Sequence, residues 1–162
     1  MVPELTRAYV ELCQRVFEQL FGLHLSVVSC QNDFHEEAPF EVSGIIGITG
    51  PMTGSVVVSF TETIAQILTA KMFGYAEGTR CVEADVIDCV GEIANIIGGH
   101  FLPVLKQGHP GDHKLSLPSI VVGRHRVIWS VRELPSMTIH FDSEIGKLAA
   151  AFNVREQGAP QS

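Results

Sequence analysis

No part of this sequence stays apolar for long. Gly, Thr, Asp or Glu interrupts every hydrophobic run, and none reaches the ~20 residues that cross a bilayer. Basic clusters are missing as well. With 11 Lys+Arg against 18 Asp+Glu and a formal net charge of -7, no stripe exists that could neutralise a run of phosphates. Nucleic acid is therefore not an expected partner. The opening residues M-V-P-E-L-T-R lack a charged leader followed by an apolar segment, so no signal peptide and no membrane association are expected. The expectation is a cytoplasmic, acidic domain.

Cysteine pairing is absent in pattern too. Cys13, Cys30, Cys81 and Cys89 include no C-x-x-C spacing, and the expectation is four reduced thiols packed as small apolar groups. His100, His109 and His113 fall near K-Q-G-H-P-G-D-H-K. Nothing there fixes a third or fourth ligand on a rigid element, and the Gly and Pro describe a mobile loop, so no metal site is expected.

What is present suffices for a core. At 46% hydrophobic and 18% charged residues, intrinsic disorder as the main state is disfavoured. A length of 162 residues suits one domain, expected over 1–156 with a disordered tail over 157–162.

Leu5, Tyr9, Leu12, Val16 and Leu20 recur at threes and fours, predicting a helix over Pro3 to Leu20 that Gly22 stops. A strand is expected over His24 to Gln31. After a polar stretch to Glu37 come Glu41 to Thr49 and Ser55 to Phe60, a hairpin whose turn holds Gly50, Pro51 and Gly54. Thr61 or Thr63 caps a helix over Ile64 to Met72, ended by Gly74, and a longer helix follows over Val82 to Leu105. Beyond a glycine-rich loop, strands are expected over Pro118 to Val122, Arg126 to Val131, Ser136 to Phe141 and Lys147 to Val154, the last two separated by a turn at Ser143 to Gly146. Strand runs around a helical block, without regular alternation, indicate an α+β two-layer domain: a largely antiparallel sheet with long helices packed on it.

The long helix is the informative segment: E-A-D-V-I-D-C-V-G-E-I-A-N-I-I-G-G-H-F-L from Glu83 to Leu102. Val86, Val90, Ile93, Ile97 and Phe101, widened by Ile87 and Ala94, form its core stripe. Asp85, Asp88, Glu92, Asn95 and Gly99 fall within an arc of ~80° on the other side. A solvated face is the ordinary meaning of such a row, and acids early in a helix suit its dipole. Several features argue for more than that. Asp88 and Glu92 repel by a few tenths of a kcal/mol with no lysine beside them. Asn95 competes with backbone hydrogen bonds in mid-helix. Gly91, Gly98 and Gly99 each cost up to ~1 kcal/mol relative to alanine. A docking surface for another macromolecule, smoothed by Gly98 beside Asn95, would account for all of these.

Asp88-x3-Glu92-x2-Asn95-x22-Pro118 resembles the signature of the CheC/CheX/FliY phosphatases of bacterial chemotaxis. G-I-I-G-I-T-G-P-M-T-G-S-V-V-V-S-F resembles the hairpin that precedes that signature, and Met72 with Gly74 the end of the helix between them. The likeness runs from about Val42 to Val154. One copy of the motif, where CheC proteins carry two, is more similar to CheX. The resemblance implies a phosphatase acting on the aspartyl phosphate of a CheY-like receiver domain. Glu92 would pair with the receiver's lysine, and Asn95 would orient the attacking water. Asp85, Asp88, Gly98, Gly99 and Pro118 would support partner binding. No cofactor is implied on this chain, since the receiver supplies its own Mg²⁺, and a homodimer is implied.

Two other readings use the same helix face: a receiver-binding adaptor without hydrolysis, and a plain dimerisation module. A pure binder has no need of a water-positioning amide, which favours the enzyme. Asp88 can equally be a solvated carboxylate, and Pro118 a strand start.

Overall fold

The expected hairpin forms the middle of the molecule. In the computed structural model, which describes residues 2–32, 39–123 and 136–158, β2 (Val42–Thr49) pairs antiparallel with β3 (Met52–Phe60). Gly50 and Pro51 alone connect them. Gly54, expected in the turn, is three residues inside β3, between Ile48 of β2 and Val154 of the strand on the other side. Its φ of +155° is one a side chain rarely adopts, and a Cβ there would run into the Asn153 carbonyl. The glycine serves close strand packing, not chain reversal.

Among the described residues seven strands are ordered β1-β6-β7-β3-β2-β4, with β5 also paired to β2 and each of these pairings antiparallel. The others are β1 (Ser26–Gln31), β4 (Lys114–Leu115), β5 (Ser119–Val122), β6 (Ser136–Asp142) and β7 (Leu148–Glu156). The two-residue β4 has no sequence counterpart. The expected strand over Arg126 to Val131 lies outside the described residues. Ser143 and Gly146 exchange backbone hydrogen bonds, closing the expected turn.

The helices α1 (Val2–Phe21), α2 (Glu62–Phe73) and α3 (Glu83–Gly108) pack on one face of the sheet. Tyr9 of α1 meets Phe101 of α3 and Phe152 of β7 edge-on, and the two phenylalanines meet at a tilt, with ring centroids 5.0–5.5 Å apart. The Tyr9 hydroxyl donates to the Ala151 carbonyl, the partner that a buried phenol requires. Thr61 caps α2 by accepting from the Ile64 N–H, and Gly74 closes it in a left-handed conformation at φ 70°. Leu20 and Ile87, assigned to core stripes by periodicity, are exposed at 41% and 37%. Leu20 is one residue from the helix end, and Ile87 lies at the margin of its stripe. Cys30 is likewise exposed, on the edge strand β1, while the other three thiols are buried.

β7 does not alternate. Leu148 through Val154 are all buried, because Ala149, Ala151 and Asn153 are covered on the face turned away from the helices. That face is small and polar. Asn153 Oδ1 accepts from the Ser55 N–H and hydroxyl, and Ser43 and Ser59 hydroxyls bond at 2.9 Å.

Candidate functional site

α3 lies along β2 at the side of the sheet, and glycines set how closely. A Cβ on Gly44 of β2 would be 3.1 Å from the Ala94 Cβ, and one on Gly98 would be 3.4 Å from Ile46 and Leu115. With Val86, Val90, Ile93, Ala94, Ile97 and Phe101 buried beneath, the opposite face of the helix is committed to solvent. The start of α3 is held from α2. The Gln66 side-chain amide donates to the Cys81 carbonyl at 3.2 Å and accepts from the Cys81 N–H at 2.7 Å.

On that outer face Asp88, Glu92, Asn95 and Gly99 are all exposed, in consecutive turns. Among the described residues neither the Glu92 nor the Asn95 side chain makes a hydrogen bond or ion pair. An acid and a carboxamide one turn apart are thus left free to bind outward. Pro103 lies inside α3 and has no N–H, so the Gly99 carbonyl four residues earlier lacks its usual helical donor.

The remaining expected site residues divide. Asp85 is half-buried, and its carboxylate accepts from the Tyr75 hydroxyl at 3.0 Å. That bond, and then the carboxylate's charge, raise the Tyr75 pKa. Pro118 is half-buried beside the row, its Cγ 3.4 Å from where a Cβ would project from Gly91. Gly98 corrects the expectation made for it. It is buried against Ile46 and Leu115, so it faces the sheet, not a visitor. Gly99 has open space around it.

The segment after α3 also differs from a mobile loop. The helix continues to Gly108, and His113 is buried with Nε2 accepting from the Met52 N–H. His100 is exposed. Among the described residues no group of three or more His, Cys, Asp or Glu could hold a metal ion, and no helix is long and apolar enough to cross a membrane. Two open grooves, about 690 and 680 Å³, flank α2 and the residues around Arg80. Both lie away from Glu92 and Asn95, whose setting is a protruding helix face. Sequence reasoning missed Gln66 and Tyr75, which hold the start of α3.

The family model described as chemotaxis phosphatase CheX matches residues 42–142. This chain belongs to that family. It is 31% identical over 111 residues, 68% of the chain and 70% of the relative, to the CheY-P phosphatase CheX of Thermotoga maritima. A crystal structure of a chemotaxis protein CheX from Desulfovibrio desulfuricans superposes with a TM-score of 0.80 at 25% identity, covering 94% of this chain and 99% of that one. A CheX–CheY–BeF3–Mg²⁺ complex from Borrelia burgdorferi shares the fold, with a TM-score of 0.74 at 17% identity and coverage of 93% and 97%. The α+β architecture with its antiparallel sheet is that of the CheX proteins.

Proposed function

We propose that this CheX-family phosphatase hydrolyses the aspartyl phosphate of a CheY-type receiver domain by inserting Glu92 and Asn95 of α3 into the receiver's phosphorylation site. One observation carries the assignment of residues: both side chains are exposed on one helix face, a turn apart, with no side-chain partner among the described residues.

An aspartyl phosphate is a reactive mixed anhydride, so hydrolysis needs positioning and charge control more than a new nucleophile. The Asn95 carbonyl accepts from a water while its NH₂ donates to a phosphoryl oxygen, which places the water in line with phosphorus. As the water oxygen bonds to phosphorus, the bond from phosphorus to the aspartyl oxygen breaks. Aspartate leaves as carboxylate, inorganic phosphate departs, and the water's proton passes to the phosphate or to solvent. Glu92 contributes a fixed negative charge that pairs with the receiver's lysine and sets the register of docking. Asp88, one turn earlier, adds negative charge to the same approach.

The Borrelia relative has been solved together with CheY, BeF3 and Mg²⁺, which supports placing the Mg²⁺ of this reaction in the receiver. One domain over residues 1–156 is enough for this role. A homodimer in the cytoplasm is the assembly that the family likeness supports, and light scattering on the purified chain tests it.

The direct test follows phosphate on each receiver domain of the source organism, charged with acetyl phosphate, with and without this protein. Faster decay that Asn95→Ala abolishes is the expected result. Binding without faster decay would make the chain an adaptor.

A further inference from the structure

The connection between β4 and β5 runs beside the Glu92–Asn95 row, and its spacing against α3 fixes its course. Leu115 packs at Gly98 and Pro118 at Gly91. Seven helical residues rise ~10.5 Å, and three extended residues cover ~10 Å. Residues 115–118 therefore run antiparallel to the helix. On the helical wheel Gly91 and Gly98 stand roughly 40–60° beyond Asn95, so the segment borders the row on its Asn95 side.

Ser116 is tied inward. Its N–H donates to the Gly47 carbonyl, its hydroxyl accepts from the Gly47 N–H, and that hydroxyl donates to the Leu117 carbonyl, each at 2.9 Å. Leu117, the next residue, is 88% exposed, against 63% for Val82, the next most exposed large hydrophobic among the described residues. A single exposed leucine is ordinary on a protein surface. This one is held on a short backbone pinned on both sides, at the level of Glu92 and Asn95.

We infer that Leu117 is the apolar anchor on which a receiver domain seats itself, so that Asn95 enters the phosphorylation site in register. The inference rests on the receiver-phosphatase reading above. The occupant is the apolar surface of the receiver next to its acidic phosphorylation pocket. It is argued from continuity: anything that reaches both Glu92 and Asn95 from outside meets Leu117 at the border of the same face. The half-buried Pro118 and Ile120 extend the apolar border along the strand. Leu117 is a positioning residue, because it touches partner surface and not the reacting atoms.

Steady-state hydrolysis of the acetyl-phosphate-charged receiver separates this role from chemistry. Leu117→Asp is expected to raise KM about tenfold or more, and Leu117→Ala roughly fivefold, with kcat changed less than about twofold. Leu117→Met should restore KM to within about threefold of wild type. The melting temperatures of all three should match wild type, since the side chain packs on little. Unchanged KM in both Leu117→Asp and Leu117→Ala, with wild type active, overturns the anchor and leaves the phosphatase reading standing. A loss confined to kcat overturns it as well. Wild type that accelerates decay of no receiver from the source organism overturns both.

Discussion

Pro118 rests against Gly91, its ring Cγ 3.4 Å from the point where a Cβ would leave that glycine. The contact ties a residue ahead of β5 to the helix position next to Glu92. The distal proline of the signature therefore has a physical place beside the acid and the amide, where it buttresses the helix flank.

Asn95→Ala and Glu92→Ala should separate kinetically. Loss of the amide removes an interaction made in the transition state, so kcat falls about a hundredfold or more with KM little changed. Loss of the acid mainly weakens docking, raising KM about tenfold in a salt-dependent way. Both positions are exposed in mid-helix, and alanine there stabilises by up to about 0.5 kcal/mol. Thermal melts alongside the phosphate assay distinguish lost function from lost fold.

Gly98→Ala tests where that glycine belongs. The added methyl would be 3.4 Å from Ile46 and Leu115, an ordinary contact. The variant gains helix propensity, and the expected change is roughly 0.5–1 kcal/mol of stabilisation, or about 1–4 °C in melting temperature. KM and kcat should stay at wild-type values. A raised KM would return Gly98 to the partner interface.

Gly54→Ala should do the opposite. Its φ of +155° and the Asn153 carbonyl in the path of a Cβ together cost at least about 3 kcal/mol. A large drop in the denaturation midpoint is expected, with Ser55→Ala as a milder comparison at the same pair of strands.

These glycines also show what sequence conveys and what it does not. Thr61, Gly74 and the stripe from Val86 to Phe101 were legible because a cap, a left-handed stop and a 3.6-residue period are local signals. The exposed row was legible as the complement of that stripe. Gly54 was misplaced because a glycine three residues after Gly50–Pro51 reads as part of the turn, whereas its reason is a carbonyl on β7, 99 positions away in the chain. The burial of Gly98 and the two-residue β4 depend on the same kind of distant contact. The alternation of Lys147 to Val154 made β7 legible as a strand, but not the burial of Ala149, Ala151 and Asn153 on its second face, which depends on what covers that face.

A pH-dependent stabilisation comes from His24 and Glu144, which bond at 2.7 Å between the end of α1 and the β6–β7 turn. The Glu144 carboxylate raises the His24 pKa above 6.5, first by the hydrogen bond and then by its charge. Glu144 is lowered below 4.5, first by its own backbone N–H and then by the His24 ring and N–H. A raised histidine stabilises fully below 6.5, and its contribution is lost as pH rises through the folded value. A lowered carboxylate stabilises fully above 4.5, and its contribution is lost as pH falls through the folded value. The pair therefore helps most between pH 4.5 and 6.5. Denaturation midpoints against pH should show this rise in wild type and lose it in Glu144→Gln.

A convex helix has no interior in which to trap a small molecule. On the proposed reading, Glu92 and Asn95 complete a hydrolytic centre only when a second protein brings the metal, the lysine and the phosphoryl group. Free acyl phosphates in the metabolite pool therefore offer nothing for this surface to hold. The catalyst can be abundant in a cell without draining them, because half of its machinery travels with the signal it erases.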